Sequence, residues 1–80
     1  MTLDELPPGE RATILRVDGE PALRTRIEAM GLRVGKDVAV IRRARMGGPL
    51  QVRVGNTDLI IRPAQARLIR LSQRTDEPQG

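Results

Sequence analysis

The arginines between residues 42 and 53 are the side chains of this sequence best suited to recognising another molecule. Guanidinium groups bind carboxylates and phosphates through paired hydrogen bonds. A solvated face that keeps edge strands soluble is the alternative interpretation. Edge protection needs fewer arginines than this segment carries, so we predict a partner-binding surface formed by Arg42, Arg43, Arg45, Met46 and Arg53.

The sequence offers little material for catalysis or metal binding. It has no cysteine and no histidine, which excludes thiolate and imidazole ligands. The acidic residues are scattered singly apart from Asp4-Glu5 and Asp76-Glu77 near the termini, whereas metal sites draw on clustered ligands. No spacing pairs a nucleophile with a base. We therefore expect no enzyme activity, no catalytic residue, no metal site and no cofactor.

Gly47 and Gly48 resemble part of a phosphate-binding loop, because closely spaced glycines let backbone N–H groups approach an anion. A nucleotide loop, however, follows a strand and precedes a helix. Here a second strand follows the glycines. The pattern therefore predicts a hairpin turn at residues 45–49 and no nucleotide site.

Length and composition limit the fold that can present these residues. The 80 residues form one domain, and the absence of Phe, Tyr and Trp leaves an entirely aliphatic core. The formal charge of +4 suits an acidic protein surface, a nucleic acid or an anionic membrane, and does not choose among them. No apolar run is long enough to span a membrane, and the N-terminus does not read as a secretory signal. We expect a cytosolic protein.

One amphipathic helix is predicted after the first strand. Pro21 suits the first helical position, where its missing N–H would have no partner. Leu23, Ile27 and Met30 follow at helical spacing, and we predict that this stripe packs in the core. Gly31 then ends the helix, because glycine readily adopts the left-handed conformation found there.

Apolar runs and turn residues predict five short strands, at residues 12–17, 38–44, 50–54, 57–61 and 68–71. Gly55-Asn56 predicts a tight hairpin between the third and fourth strands, and Pro63 begins a single helical turn. Ile60 is expected to point away from its neighbours, so either that strand is covered on both sides or Ile60 belongs to a contact surface. The polar residues 72–80 predict a disordered tail.

Five strands with one helix between the first two predict a mainly β fold, a small barrel that closes to remove its edges. At residues 3–71 the order of several short motifs resembles the FeoA family. The motifs are Gly9 before Ala12-Thr13-Ile14-Leu15, Met30-Gly31-Leu32, Val34-Gly35 before Val38-Ala39-Val40, the segment from Ala44 to Pro49, and Arg62 with Ala66. The chain departs from the family pattern at Arg45 and Gly48, each at the hairpin, and at Gln65.

The resemblance implies an SH3-like domain over residues 1–71. It also implies a non-enzymatic cytosolic accessory of ferrous iron transport, docking on the G-protein region or adjoining membrane portion of a FeoB-type transporter. The alternative is a small-barrel RNA-binding or regulatory module, similar to the SH3-like domain of iron-dependent repressors. A protein partner is favoured over RNA, because RNA-binding proteins commonly stack bases on aromatic side chains and this chain has none. A homo-oligomer stays open, since an exposed strand edge would permit one.

Overall fold

The chain forms five strands and two short helices within residues 1–72, the part that the computed structural model describes. A 3₁₀ turn at Leu3–Glu5 precedes them. In chain order they are β1 (Arg11–Val17), α1 (Pro21–Ala29), β2 (Asp37–Arg43), β3 (Leu50–Val54), β4 (Thr57–Ile61), α2 (Pro63–Ala66) and β5 (Ile69–Leu71). The predicted strands, the helix after the first strand and the helical turn after the fourth are confirmed.

The strands form one antiparallel sheet in the order β4-β3-β2-β1-β5. We expected a barrel that closes, but β4 and β5 end the sheet without pairing with each other. The free side of the short strand β5 is already taken by the N-terminus. Thr2 bridges to Arg70 there, and the N–H of Leu71 donates to the Met1 carbonyl at 2.7 Å. The predicted mainly β fold is therefore present, but as an open sheet.

Two β-bulges decide which side chains of β1 and β2 face the core. In β2 the pairing register shifts between Val40 and Arg42, so Ile41 is an extra residue. A corresponding shift in β1 inserts Leu15. Because side chains of a strand alternate between its two faces, each extra residue inverts the alternation beyond it. Arg43 consequently lies in the core-facing row of β2.

The core lies on one face of the sheet and is entirely aliphatic, as predicted. Ile27 of α1 is 1% exposed, and Leu23 and Met30 are half-buried against the same cluster, which confirms the core role of this stripe. No polar or charged residue within residues 1–72 is buried. The largest fully buried side chains are Leu3, Leu6, Ile14, Ile27, Leu32, Leu50, Ile61, Ile69, Val38, Val40 and Val52.

Ser72 is the last described residue, and it is hydrogen-bonded to β1. Its N–H donates to the Thr13 carbonyl at 2.8 Å, and its hydroxyl oxygen accepts from the Thr13 N–H at 3.0 Å. Paired structure thus extends one residue beyond Leu71. The rest of the predicted tail, residues 73–80, lies outside the described residues.

Leu32→Ala and Leu15→Ala test the assignment of the core. Leu32 is fully buried, whereas Leu15 is 57% exposed at its bulge. We expect Leu32→Ala to lower the free energy of unfolding by about 2–5 kcal/mol, because it empties a packed site. Leu15→Ala should cost less than about 1 kcal/mol. Denaturant unfolding followed by circular dichroism measures both, and equal losses would contradict the described bulge.

Candidate functional site

The candidate site lies on the face of β2, β3 and β4 that points away from the core, which we call the outer face. The turn between β2 and β3 lies at one end of this face. The strand register places Arg42, Gln51 and Ile60 in one row across the strands. The next row contains Ala39, Arg53 and Asp58. Side chains in such rows are close enough to interact.

Residues 45–48 form the turn at the tip of the β2–β3 hairpin, as the sequence predicts. The Gly48 N–H donates to the Arg45 carbonyl at 3.2 Å. The two central residues, Met46 and Gly47, have φ angles of 61° and 72°. Positive φ at both central positions is the pattern of a type I′ turn, whose twist matches that of paired strands.

Met46 is an unusual residue for this turn position. Type I′ turns favour Asn, Asp or Gly there, because a larger side chain resists positive φ. Such a backbone conformation costs on the order of 1–3 kcal/mol. The Met46 side chain is 99% exposed, so packing within the described chain does not offset that cost.

Arg43 holds the N-terminal segment against the sheet. Because of the bulge at Ile41, Arg43 pairs across the strands with Leu50, which is buried. Its guanidinium donates to the Asp4 carbonyl at 2.7 Å and to the Leu6 carbonyl at 2.6 Å. Sequence reasoning missed this structural role, because the acceptors lie 39 and 37 residues away along the chain.

Arg53 and Asp58 form a two-point ion pair across β3 and β4. Arg53 Nε lies 2.7 Å from Asp58 Oδ1, and Arg53 Nη2 lies 3.1 Å from Oδ2. The hydrogen bond from Arg53 lowers the pKa of Asp58, and the same bond raises the pKa of Arg53. Gln51 donates a further bond to Oδ2 at 3.3 Å and accepts one from Arg42 Nη2 at 3.5 Å. A continuous polar network therefore crosses the outer face.

The structure separates the five predicted contact residues into three settings. Arg45 and Met46 are exposed at the hairpin tip, and Arg42 lies on the adjoining end of the outer face. Arg53 shares this face, but Asp58 engages its guanidinium. Arg43 is turned toward the N-terminal segment. Arg42, Arg45 and Met46 are thus the members of the set that lie together at one end.

Two apolar side chains adjoin the same end of the outer face. Ile60 is 65% exposed, so the described chain does not cover β4 on both sides. Ile41 is 37% exposed at its bulge, and sequence reasoning missed it. The apolar run Leu59–Ile60–Ile61 signalled Ile60, whereas Ile41 follows Val40 in an ordinary strand pattern.

A separate depression lies between α1 and the segment leading into β2. It is lined by Thr25, Glu28, Ala29, Arg33 and Val34. Val34 is 61% exposed, and sequence reasoning did not predict a surface role for it. The Arg33 Nε donates to the Glu28 carbonyl at 3.2 Å and so closes the end of the helix. This depression lies apart from the predicted arginine surface.

The outer face combines guanidinium groups with exposed apolar side chains. Residues 1–72 contain no group of three or more acidic residues placed to hold a metal ion. Within the same range, none of the helices is long and apolar enough to cross a membrane. Guanidinium donors beside exposed apolar side chains are the composition found in protein–protein contact surfaces.

Five antiparallel strands in one sheet, with a helix after the first strand, define the chain as a member of the SH3-like class. A crystal structure of Stenotrophomonas maltophilia FeoA with zinc, described as a prokaryotic SH3 domain protein, has a TM-score of 0.78 and 29% identity. The similarity covers 90% of this chain and 89% of that one. A manganese-dependent transcriptional repressor that is 16% identical, with a TM-score of 0.82, shares the fold alone.

The model of the FeoA domain family matches residues 1–73, and the chain belongs to this family. The FeoA protein of Chlorobium tepidum is 37% identical with a TM-score of 0.81, over 89% of this chain and 68% of that one. A fusion of Fe(2+) transport protein A with the Fe(2+) transporter FeoB from Porphyromonas gingivalis is 35% identical over 69 residues. These cover 86% of this chain and 8% of the fusion protein.

Arg43→Met and Arg45→Met separate a structural arginine from an exposed one. We expect Arg43→Met to lower the free energy of unfolding by about 1–3 kcal/mol, because two charge-assisted hydrogen bonds are lost. Arg45→Met should stay within about 0.5 kcal/mol, as for a surface substitution. Denaturant unfolding measures both values, and an Arg43→Met variant as stable as the parent would contradict the described contact.

The ion pair on the outer face predicts an acid-dependent contribution to stability. The pKa of Asp58 lies below its ordinary value of 3.8, so the contribution is present above that value and disappears as the pH falls through the lower folded-state pKa. Arg53→Gln should raise the pKa of Asp58 toward 3.8. Carboxyl ¹³C NMR titration measures the change. Arg16→Gln, at the Arg16–Asp18 pair, is the control and should leave the Asp58 titration unchanged.

Proposed function

We propose that this chain is a non-enzymatic cytosolic accessory of ferrous iron transport that docks on a FeoB-type transporter and modulates it. The observation that carries the proposal is the Porphyromonas gingivalis fusion, in which a stretch 35% identical to this chain shares one polypeptide with a FeoB transporter. Joining two domains raises the concentration at which each meets the other. Fusion therefore favours a FeoA-type domain that acts beside FeoB.

The docking surface that we propose is the end of the outer face formed by Arg42, Arg45 and Met46. Arginine and methionine are enriched in protein interfaces, and an exposed methionine adapts its shape to an apolar pocket. The strained turn that presents Met46 is retained without any packing gain inside the described chain. Arg43 and Arg53 support this surface through the N-terminal segment and through Asp58.

The partner surface that fits is an apolar depression with acidic residues around it. Met46 would enter the depression, and the guanidinium groups of Arg42 and Arg45 would pair with carboxylates at its rim. Rim charges act mainly on the rate of association and on specificity, whereas a buried apolar anchor dominates the affinity. Met46 is thus the proposed anchor.

Modulation would arise from a difference in affinity between two states of the transporter. A bound accessory shifts a conformational equilibrium only by as much as it prefers one state over the other. The chain needs no catalytic group for this effect. Its scattered carboxylates and lack of histidine and cysteine fit a module that works by binding.

An NMR titration of the ¹⁵N-labelled chain with the cytosolic G-protein region of a FeoB-type transporter tests the proposal. We expect amide shifts clustered at residues 42–53, with different affinities in GDP and in a GTP analogue. A titration with the complete transporter in detergent follows if the isolated region gives no shifts. Absence of shifts with both, together with tight, salt-sensitive binding to RNA, would overturn the proposal in favour of the nucleic-acid alternative.

Charge reversal at matched positions locates the docking surface. Arg45 and Arg24 are both exposed, the first at the hairpin tip and the second on α1. We expect Arg45→Glu to weaken binding to the transporter about 3- to 10-fold or more, and Arg24→Glu to have little effect. Isothermal titration calorimetry at two salt concentrations measures the affinities. Equal weakening by the two variants would show general charge attraction rather than docking through the hairpin.

Met46→Asn separates the anchor from the turn. Asparagine tolerates positive φ, so the variant should be at least as stable as the parent protein. Binding to the transporter should nevertheless weaken, because the apolar side chain is lost. Thermal unfolding and calorimetric titration of the same samples give both values, and unchanged affinity would remove Met46 from the interface.

A further inference from the structure

The edge strand β4 lacks the features that usually prevent pairing between molecules. Its five residues pair with β3 in one unbroken register, whereas β1 and β2 both contain bulges. It contains no lysine, arginine or proline, and its one charged residue, Asp58, is neutralised by Arg53. The other edge of the sheet is covered by Met1 and Thr2. Among residues 1–72 nothing pairs with the outer side of β4, which is therefore an open template for another strand.

The register of the β3–β4 hairpin shows which backbone groups of β4 are available. Gly55 and Asn56 form a two-residue loop, so the flanking Val54 and Thr57 are a hydrogen-bonded pair. Hydrogen-bonded and non-hydrogen-bonded pairs then alternate along the ladder. Asp58 and Ile60 consequently direct their N–H and C=O groups away from β3. Within residues 1–72, these groups have no hydrogen bond outside the sheet ladder.

We propose that β4 pairs antiparallel with β4 of a second copy of this chain, joining two sheets across a two-fold axis. Asp58 of each copy lies opposite Ile60 of the other, and Leu59 lies opposite its own copy at the axis. Asp58 and Ile60 of the two copies together have four outward N–H groups. In this register each of them donates to one of the four outward carbonyls of the same residues. The two Leu59 side chains form a non-hydrogen-bonded pair, in which Cα atoms are about 4.5 Å apart and side chains are close.

The neighbouring registers are less favourable. Placing Asp58 opposite Asp58 sets like charges side by side, which destabilises a pair of strands. Placing Ile60 opposite Ile60 brings Arg62 opposite Asp58, but the backbone of Arg62 is already engaged. Its N–H donates to Gln65 Oε1 at 3.1 Å, and its carbonyl accepts from the N–H groups of Gln65 and Ala66. That register would form only the two hydrogen bonds between the Ile60 residues, whereas the proposed register forms four.

Charge favours a second copy over an acidic partner at this edge. The chain has a net charge of +4, so two copies repel each other over most of their surfaces. β4 is an exception, because the carboxylate of Asp58 compensates the guanidinium of Arg53 at 2.7 Å. An acidic segment would gain little at a neutral edge. The apolar Leu59 and Ile60 match the same residues of a second copy.

The association is expected to be weak and reversible. Five residues of strand bury less surface than the roughly 1,200–2,000 Å² of a stable interface. A dissociation constant on the order of 0.1–1 mM fits an interface of that size. Because Ile60 lies in the same cross-strand row as Arg42, pairing would take place next to the hairpin surface without covering its tip.

Dilution of the isotope-labelled chain tests the inference without any other protein. Between about 0.02 and 2 mM, sedimentation equilibrium should detect a monomer–dimer transition. The amides of Asp58 and Ile60 should shift and become protected from hydrogen exchange as the dimer forms. Those of Leu59 and Ile61, already bonded to β3, should keep their protection. A chain that stays monomeric throughout, or shifts that do not alternate along β4, would overturn the inference.

Ile60→Glu and Leu15→Glu are the matched variants. Both replace an exposed aliphatic residue, 65% and 57% exposed, and only the first lies on the β4 edge. Ile60→Glu should weaken dimerisation at least about 10-fold, because it sets a carboxylate directly opposite Asp58 of the other copy, while Leu15→Glu keeps it. Dimerisation unaffected by Ile60→Glu would overturn the inference. A response of the β4 amides to the transporter but not to dilution would overturn it too.

Discussion

The bulge at Ile41 is the local feature on which the arrangement of the candidate site depends. Val38 and Val40 face the core, so an uninterrupted strand would turn Arg42 inward and Arg43 outward. Whichever arginine lies in the core-facing row needs hydrogen-bond acceptors, because an unpaired guanidinium is costly to desolvate. The extra residue inverts the alternation, which leaves Arg42 on the outer face and sends Arg43 to the Asp4 and Leu6 carbonyls.

The aliphatic composition explains why this arrangement needs the N-terminal segment. A chain of 80 residues with no aromatic side chain has few large groups to exclude water from one face of an open sheet. Leu3 and Leu6 are fully buried although they lie outside the strands. Arg43 stabilises the segment that carries them, and Met1 and Thr2 pair with β5. One short segment thus completes the core and covers one edge.

Most elements could be predicted because their signals are local. Pro21 and Gly31 mark the ends of α1, and Gly55, with a φ of 61°, makes the turn between β3 and β4. The bulges could not be predicted, since Val38-Ala39-Val40-Ile41 reads as an ordinary strand. The partner of Arg43 is set by tertiary contacts of long sequence separation. The prediction that the barrel closes was wrong for a similar reason. The N-terminus occupies the free side of β5, which is also a contact of long sequence separation.

The apolar residues that lie outside the core are informative, because a chain this short needs most of its large aliphatic side chains to form the core. Met46, at 99% exposure, and Ile60, at 65%, lie near one end of the outer face but in different electrostatic settings. Arg45 beside Met46 has no ion pair within residues 1–72, whereas Ile60 neighbours the compensated pair of Arg53 and Asp58. A basic, strained tip suits a partner of opposite charge. The electrically neutral edge of β4 suits a second copy of this chain. The Arg53–Asp58 ion pair therefore separates two kinds of recognition on one small sheet.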